Sequence, residues 1–164
     1  MTRFSAALLS LSMLVAPAAV FAKPDKDAVF KDWRGQCETP EGSDQEICHV
    51  FQNLVVKETQ QQLLHVMVLQ TPKREEPVMI ATLPLGVALR PGIQIQVDEV
   101  EPFSMMFETC TPVGCRAGLL LKPEILSAFQ KGAKGTVSFF NLQGKRLNVP
   151  LSLNGFTQAV ASLK

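Results

Sequence analysis

The chain has 164 residues, with 46% hydrophobic and 19% charged side chains, 16 basic and 15 acidic groups, one Trp and no Tyr. A formal charge of +1 gives no long-range field for nucleic acid or an anionic membrane, because affinity for phosphate comes from clustered Lys and Arg. The lack of Tyr and the single Trp also argue against an outer-membrane barrel, whose strands need aromatic girdles at both interfaces.

The first 22 residues carry Arg3, an apolar run from Ala6 to Val15 broken only by Ser10 and Ser12, and Val20-Phe21-Ala22 before a charged Lys23-Pro24-Asp25-Lys26-Asp27 segment. This order predicts a secretory signal peptide cleaved after Ala22. The run contains Pro17 and falls short of the roughly 20 apolar residues of a spanning helix. With no cysteine near the cut, the expected product is not a lipoprotein, has no membrane span and is free in its compartment. Removal of residues 1–22 takes away Arg3 and no acid, which leaves 15 basic and 15 acidic residues. Residues 23–164 form a single expected domain, long enough to bury a sizeable core.

Turn-like breaks at Pro40 to Asp44, Thr71 to Pro77, Arg90-Pro91-Gly92 and Gln143-Gly144 separate runs of strand length. In chain order the expected strands are Ile47 to Val56, Gln62 to Gln70, Val78 to Leu83, Ile93 to Asp98, Phe103 to Cys110, Ala117 to Leu121, Thr136 to Leu142 and residues 145–153. Residues 93–98 alternate apolar and polar side chains at period two, as a half-buried strand does. In residues 145–153, Leu147, Val149, Leu151 and Leu153 face one side. Pro150 cannot donate to a ladder, which places this strand at an edge or a bulge. Gln143-Gly144 reads as a hairpin connection.

Two short helices are expected, at about 123–131 and 154–163. Pro123 suits a first helical turn, Ile125, Leu126 and Phe129 share a face, and Gly132 stands where a helix stops. Asn154 is the expected cap of the second, whose Phe156, Ala159, Val160 and Leu163 make an apolar stripe that packs on the sheet. The fold class is therefore mainly β, an antiparallel β-sandwich or small β-barrel with two short helices.

The four cysteines form two local pairs, Cys37 with Cys48 and Cys110 with Cys115. An even count in an exported protein points to disulfides, although four cysteines allow three connectivities. Loop-closure entropy favours Cys37–Cys48 and Cys110–Cys115 over pairings that close about 70 residues. Two other readings of Cys110 and Cys115 stay open. A redox pair would want two intervening residues at a helix N-terminus, and here four intervene, including Pro112 and Gly114. A zinc site would need reduced thiolates and closer ligand pairs.

Catalytic signals are thin. The chain has no G-x-S-x-G elbow and no phosphate-cradling glycine loop, and the acidic groups at Glu75-Glu76 and Asp98-Glu99-Glu101 lack a calcium-loop pattern. His49 and His65 read as ordinary strand residues. Neither a catalytic residue, a cofactor nor a metal is expected.

Trp33 before Cys37 and Cys48, then Leu83-Pro84-Leu85-Gly86-Val87, Arg90-Pro91-Gly92, Cys110-x4-Cys115 with Gly114, and Gly155-Phe156 make an ordered set. This set resembles the invasion-associated locus B family of exported proteins of Gram-negative bacteria, and it covers nearly all of residues 23–164. The resemblance implies a periplasmic, β-rich, disulfide-containing domain, surface-associated or secreted in some settings. It brings no catalytic residue or cofactor, and it links some members to host-cell invasion. Three functions follow as expectations: a non-enzymatic interaction domain with an unknown protein or envelope partner, a virulence-associated envelope factor, or a thiol-disulfide active protein using Cys110 and Cys115. Residues 83–92 are read as a rigid loop over one end of the sheet. The alternative is a partner-facing edge in which Pro84, Gly86 and Arg90 present an apolar connection with one polar anchor.

Overall fold

The computed structural model describes residues 27–42, 44–71 and 74–163. The expected signal peptide 1–22 and the start of the 23–164 domain lie outside these residues, as do Ser43, Pro72 and Lys73 of two expected turns. In chain order the described elements are β1 (Val29–Phe30), β2 (Trp33–Glu38), β3 (Ile47–Val55), β4 (Gln62–Leu69), β5 (Val78–Leu83), β6 (Ile93–Val97), β7 (Phe103–Met105), β8 (Phe107–Thr111), β9 (Gly114–Leu120), α1 (Pro123–Lys131), β10 (Lys134–Phe140), β11 (Arg146–Ser152) and α2 (Phe156–Ala161).

A seven-stranded sheet in the order β1-β2-β3-β4-β5-β9-β8 packs on a four-stranded sheet in the order β11-β10-β6-β7. All strand pairs are antiparallel, and the two sheets stay separate, so the fold is a sandwich and not a closed barrel. Strand alternation fills the space between them. Leu64, Val66 and Val68 of β4 and Met79, Ala81 and Leu83 of β5 point inward and are buried, opposite Ile93, Ile95 and Val97 of β6 and Val137 and Phe139 of β10.

Three expectations need correction. The run from Phe103 to Cys110 is two strands in different sheets, because the chain changes sheet at Met106. Met105 is buried and Met106 is 61% exposed, so adjacent methionines break the period-two pattern at the corner. The strands β1 and β2 were not expected. In β2 the inward positions are Trp33, Gly35 and Cys37, whose sizes differ too much to read as an apolar alternation. Asn154 does not cap α2. The cap position is Gly155, at φ 88°, where a Cβ would overlap the Phe30 carbonyl oxygen; no side chain caps this end.

Both helices otherwise fall where the pattern puts them. Pro123 opens α1 at N1/N2, Phe129 is its buried residue, and Phe156, Ala159 and Val160 bury the stripe of α2. An aromatic series then bridges the two sheets. Trp33 of β2 packs on Phe156 of α2 at 5.2 Å, Phe156 on Phe129 of α1 at 5.4 Å, and Phe129 on Phe103 of β7 at 6.1 Å. Each such pair contributes about 0.5–1.5 kcal/mol beyond the area it buries.

Along one side, β11 lies at the edge of its sheet and meets the inner face of β3. Gln52 is buried and points inward; its Oε1 accepts from Ser152 N–H (3.0 Å), and its Nε2 donates to the carbonyls of Ser152 (3.3 Å) and Asp32 (3.1 Å). Trp33 Nε1 donates to the same Ser152 carbonyl at 3.0 Å, and Ser152 Oγ donates to Asp32 Oδ2 at 2.5 Å. The Gln52 amide thus takes the place of a strand neighbour. Because outward-facing backbone groups recur every second residue, Pro150 also faces outward, where its missing N–H leaves no gap in the β10–β11 ladder. The sequence expectation of an edge strand holds for this reason.

Replacing Gln52 with Leu would strand the Ser152 N–H while keeping the volume. The expected loss is about 1–2 kcal/mol of unfolding free energy, from leaving the part-buried Ser152 N–H unpaired. Urea unfolding of the oxidised protein measures it.

Candidate functional site

The two cysteine pairs are joined as Cys37–Cys48 and Cys110–Cys115, at S–S distances of 2.07 and 2.05 Å. Each spans directly opposed residues of neighbouring strands, Cys37 on β2 with Cys48 on β3, and Cys110 on β8 with Cys115 on β9. The strand registers put them at opposite edges and opposite ends of the seven-stranded sheet, so they fasten diagonal corners. Chain entropy gives roughly 2–3 kcal/mol for each loop of this length. Neither pair has the geometry of a thioredoxin-like site, since all four cysteines lie on strands and not at a helix N-terminus. The Glu46 carboxylate lies within 4.8 Å of both Cys37 and Cys48 sulfurs, but a disulfide offers no thiolate to a metal.

Gly114 makes the second clasp possible. It follows the Pro112-Val113 turn and has no room for a Cβ, which would overlap the Leu83 carbonyl oxygen. Leu83 in turn opposes Cys115, so the clasp borders the start of the loop at residues 84–92. That loop crosses from β5 in one sheet to β6 in the other. Val87 bridges to Asn141, and the Ala88 N–H donates to the Phe140 carbonyl at 2.8 Å, which ties the loop to the end of β10. Pro84 is half-buried, Gly86 is exposed with φ 94°, and Arg90 is exposed. The loop is therefore fixed at its middle while its ends face solvent.

Four chain segments converge on this end of the sandwich. Leu85 and Leu89 of the loop are 60% and 46% exposed, Met106 at the sheet corner 61%, Val113 at the clasp turn 76%, and Leu142 in the β10–β11 hairpin 70%. Beside them, Arg90 and Leu89 share an open depression of about 350 Å³ with Phe107, Glu108, Thr109 and Cys110 of the edge strand β8. Single exposed apolar residues are ordinary, but five gathered at one end form a surface suited to a partner. Of the residues gathered here, the sequence had offered the loop with Arg90 as a partner-facing alternative to a rigid connection. Sequence reasoning missed Met106, Val113 and Leu142, which stand apart in sequence and meet only through the fold.

The two histidines come together on the outer face of the seven-stranded sheet. Phe51 lies between them, 5.8 Å from the His49 ring and 5.6 Å from the His65 ring. His65 Nδ1 shares a hydrogen bond with Asn53 Oδ1 at 2.5 Å. Burial lowers the pKa of both; Glu38 partly offsets the effect at His49, and His49 and Arg116 add to it at His65. The Asp98 carboxylate accepts from the N–H groups of Ala133 and Lys134 and fastens the start of β10. Among the described residues, no helix is long and apolar enough to cross a membrane.

These features define a disulfide-clasped antiparallel sandwich with a group of five exposed apolar side chains at its loop end. The chain belongs to the invasion-associated locus B family, whose profile, described as "Invasion associated locus B (IalB) protein", matches residues 33–164. Its fold is similar to that of a solved structure, invasion associated protein B from Bartonella henselae, with a TM-score of 0.71 at 21% identity over 85% of this chain and 95% of that one. None of the curated proteins matches the chain significantly.

Arg90→Ala should leave the melting temperature nearly unchanged, because the side chain is exposed; a large fall would show that the arginine holds the loop. The histidines predict a pH effect of definite sign. A pKa lowered in the folded state means that the unfolded chain binds protons first, so stability is full above the unfolded value of 6.5 and falls as pH drops below it. Urea midpoints at pH 7.5 and 5.5 should show this loss, and His49→Gln with His65→Gln should reduce it.

Proposed function

We propose that the protein is exported by cleavage after Ala22 and acts in the periplasm as a non-enzymatic interaction domain of the bacterial envelope. A protein or envelope partner docks on the loop end. The observation that carries this reading is the cluster of exposed apolar side chains, Leu85, Leu89, Met106, Val113 and Leu142, beside Arg90. The family and the two disulfides support export, since disulfides persist in oxidising compartments. A part in host-cell invasion is a narrower form of the same reading and rests on the family's name.

A second reading is favoured by one observation. Cys110 is exposed beside the Arg90 depression while Cys115 is buried, so an incoming thiolate would reach the Cys110 sulfur first. In this version the protein exchanges disulfides with periplasmic thiols. Resistance of the Cys110–Cys115 bond in the native protein to reduced glutathione would remove it.

The first reading is tested with Leu85→Asp/Leu89→Asp, two exposed changes that should leave the fold intact. Titration against envelope extracts should show a saturable partner at micromolar concentration for the wild type and loss of that partner for the variant. Equal capture by both proteins would place the docking surface elsewhere. The mass of the exported protein should correspond to a chain beginning at Lys23.

A further inference from the structure

A sandwich sheet normally shows polar side chains on its outer face, because only the inner face meets the core. The seven-stranded sheet departs from this. Its inner face is set by Val50, Val66, Val68, Met79, Ala81 and Leu119, so alternation turns Phe51, Met67, Leu69, Val78, Ile80 and Leu120 outward. All six are half-buried. Four strands about 4.8 Å apart and two apolar side-chain rows about 6.7 Å apart give a footprint of roughly 260 Å². It is the contiguity of the apolar groups and their polar rim, more than the area, that suit this face to a partner.

The strand registers arrange this face in rows. The central row runs Arg34, Phe51, Met67, Ile80 and Gly118 across β2, β3, β4, β5 and β9. Glu108, at the β8 irregularity, reaches over Gly118 and completes it. One side of this row is His49, Leu69, Val78 and Leu120; the other is Asn53, His65, Thr82 and Arg116. The central row therefore has a cation at one end, an anion at the other, and apolar groups between.

We propose that a second copy of this chain covers the face, related by a two-fold axis that runs along the strands between β4 and β5. Under that operation β2 lies over β8, β3 over β9 and β4 over β5. Arg34 of each copy meets Glu108 of the other, Phe51 lies over Gly118, Met67 over Ile80, and Leu69 over Val78. Arg116 faces the Asn53 amide. The other in-plane two-fold, perpendicular to the strands, sets Arg34 on Arg34 and Glu108 on Glu108. Like charges opposed in this way disfavour it. The pattern of charge thus selects both the occupant and the axis, and it gives the isologous contact of a closed dimer.

The test is the mass in solution of the disulfide-bonded protein, by sedimentation equilibrium at micromolar concentration. The wild type should be a dimer. Arg34→Glu and Glu108→Arg should each raise the dimer dissociation constant about tenfold or more, since each breaks two symmetric charge pairs. The double variant Arg34→Glu/Glu108→Arg should restore the dimer. Ile80→Lys, at the centre of the face, should give a monomer that keeps the wild-type circular dichroism and both disulfides. A monomeric wild type, single reversals that leave the dimer intact, or a double variant that fails to recover would each overturn the proposal.

Discussion

The sandwich depends on how two sheets of unequal size are joined at their edges. On one side the chain itself makes the join, passing from β7 to β8 through Met106. On the other side, among the described residues, no strand connects the sheets, and the side chain of Gln52 supplies the link by pairing with both backbone groups of Ser152. An amide side chain has the same donor and acceptor as a peptide unit, so it can satisfy an edge strand without adding another strand. Trp33 and Asp32 close on the same residue. The join also seals an edge that would otherwise present free hydrogen-bonding groups to other chains.

From that join the placement of the helices follows. Trp33 donates to Ser152 and packs on Phe156, so one side chain fixes the end of β11 and the start of α2. Through Phe129 and Phe103 the same packing reaches the far sheet. The disulfides act on a different problem, since they fasten hairpins within one sheet and do not cross between sheets. They hold the corners while the aromatic series and the Gln52 pairing hold the layers. The interior that results is apolar, with its buried polar side chains satisfied among the described residues. The two surfaces proposed for partners therefore lie at the periphery, at the loop end and on the outer face.

Much of this was legible in the residues. The alternation in residues 93–98 and 145–153, the proline that marks an edge, and the helix beginning at Pro123 all report local geometry, and local geometry is written in neighbouring side chains. The resemblance rested on ordered cysteines, prolines and glycines, and the family match spans the same region. What was not legible depends on contacts between distant residues. Gln52 reads as an ordinary strand glutamine until Ser152, 100 positions away, is placed beside it. Met106, Val113 and Leu142 are unremarkable singly and become a surface only when three turns meet. The outer apolar face was hidden for another reason: a strand with apolar groups on both sides, such as Leu63 to Leu69, looks like a strand buried on both faces.

The central claim is that a side-chain amide stands in for a strand at the seam between the sheets. Amide hydrogen exchange at Ser152 tests it most directly, because that N–H has Gln52 Oε1 as its acceptor. Slow exchange at Ser152 in the wild type, lost in Gln52→Met while Val137 in the middle of β10 stays protected, is the result this structure predicts. Unchanged protection of Ser152 in the Gln52 variant would contradict it.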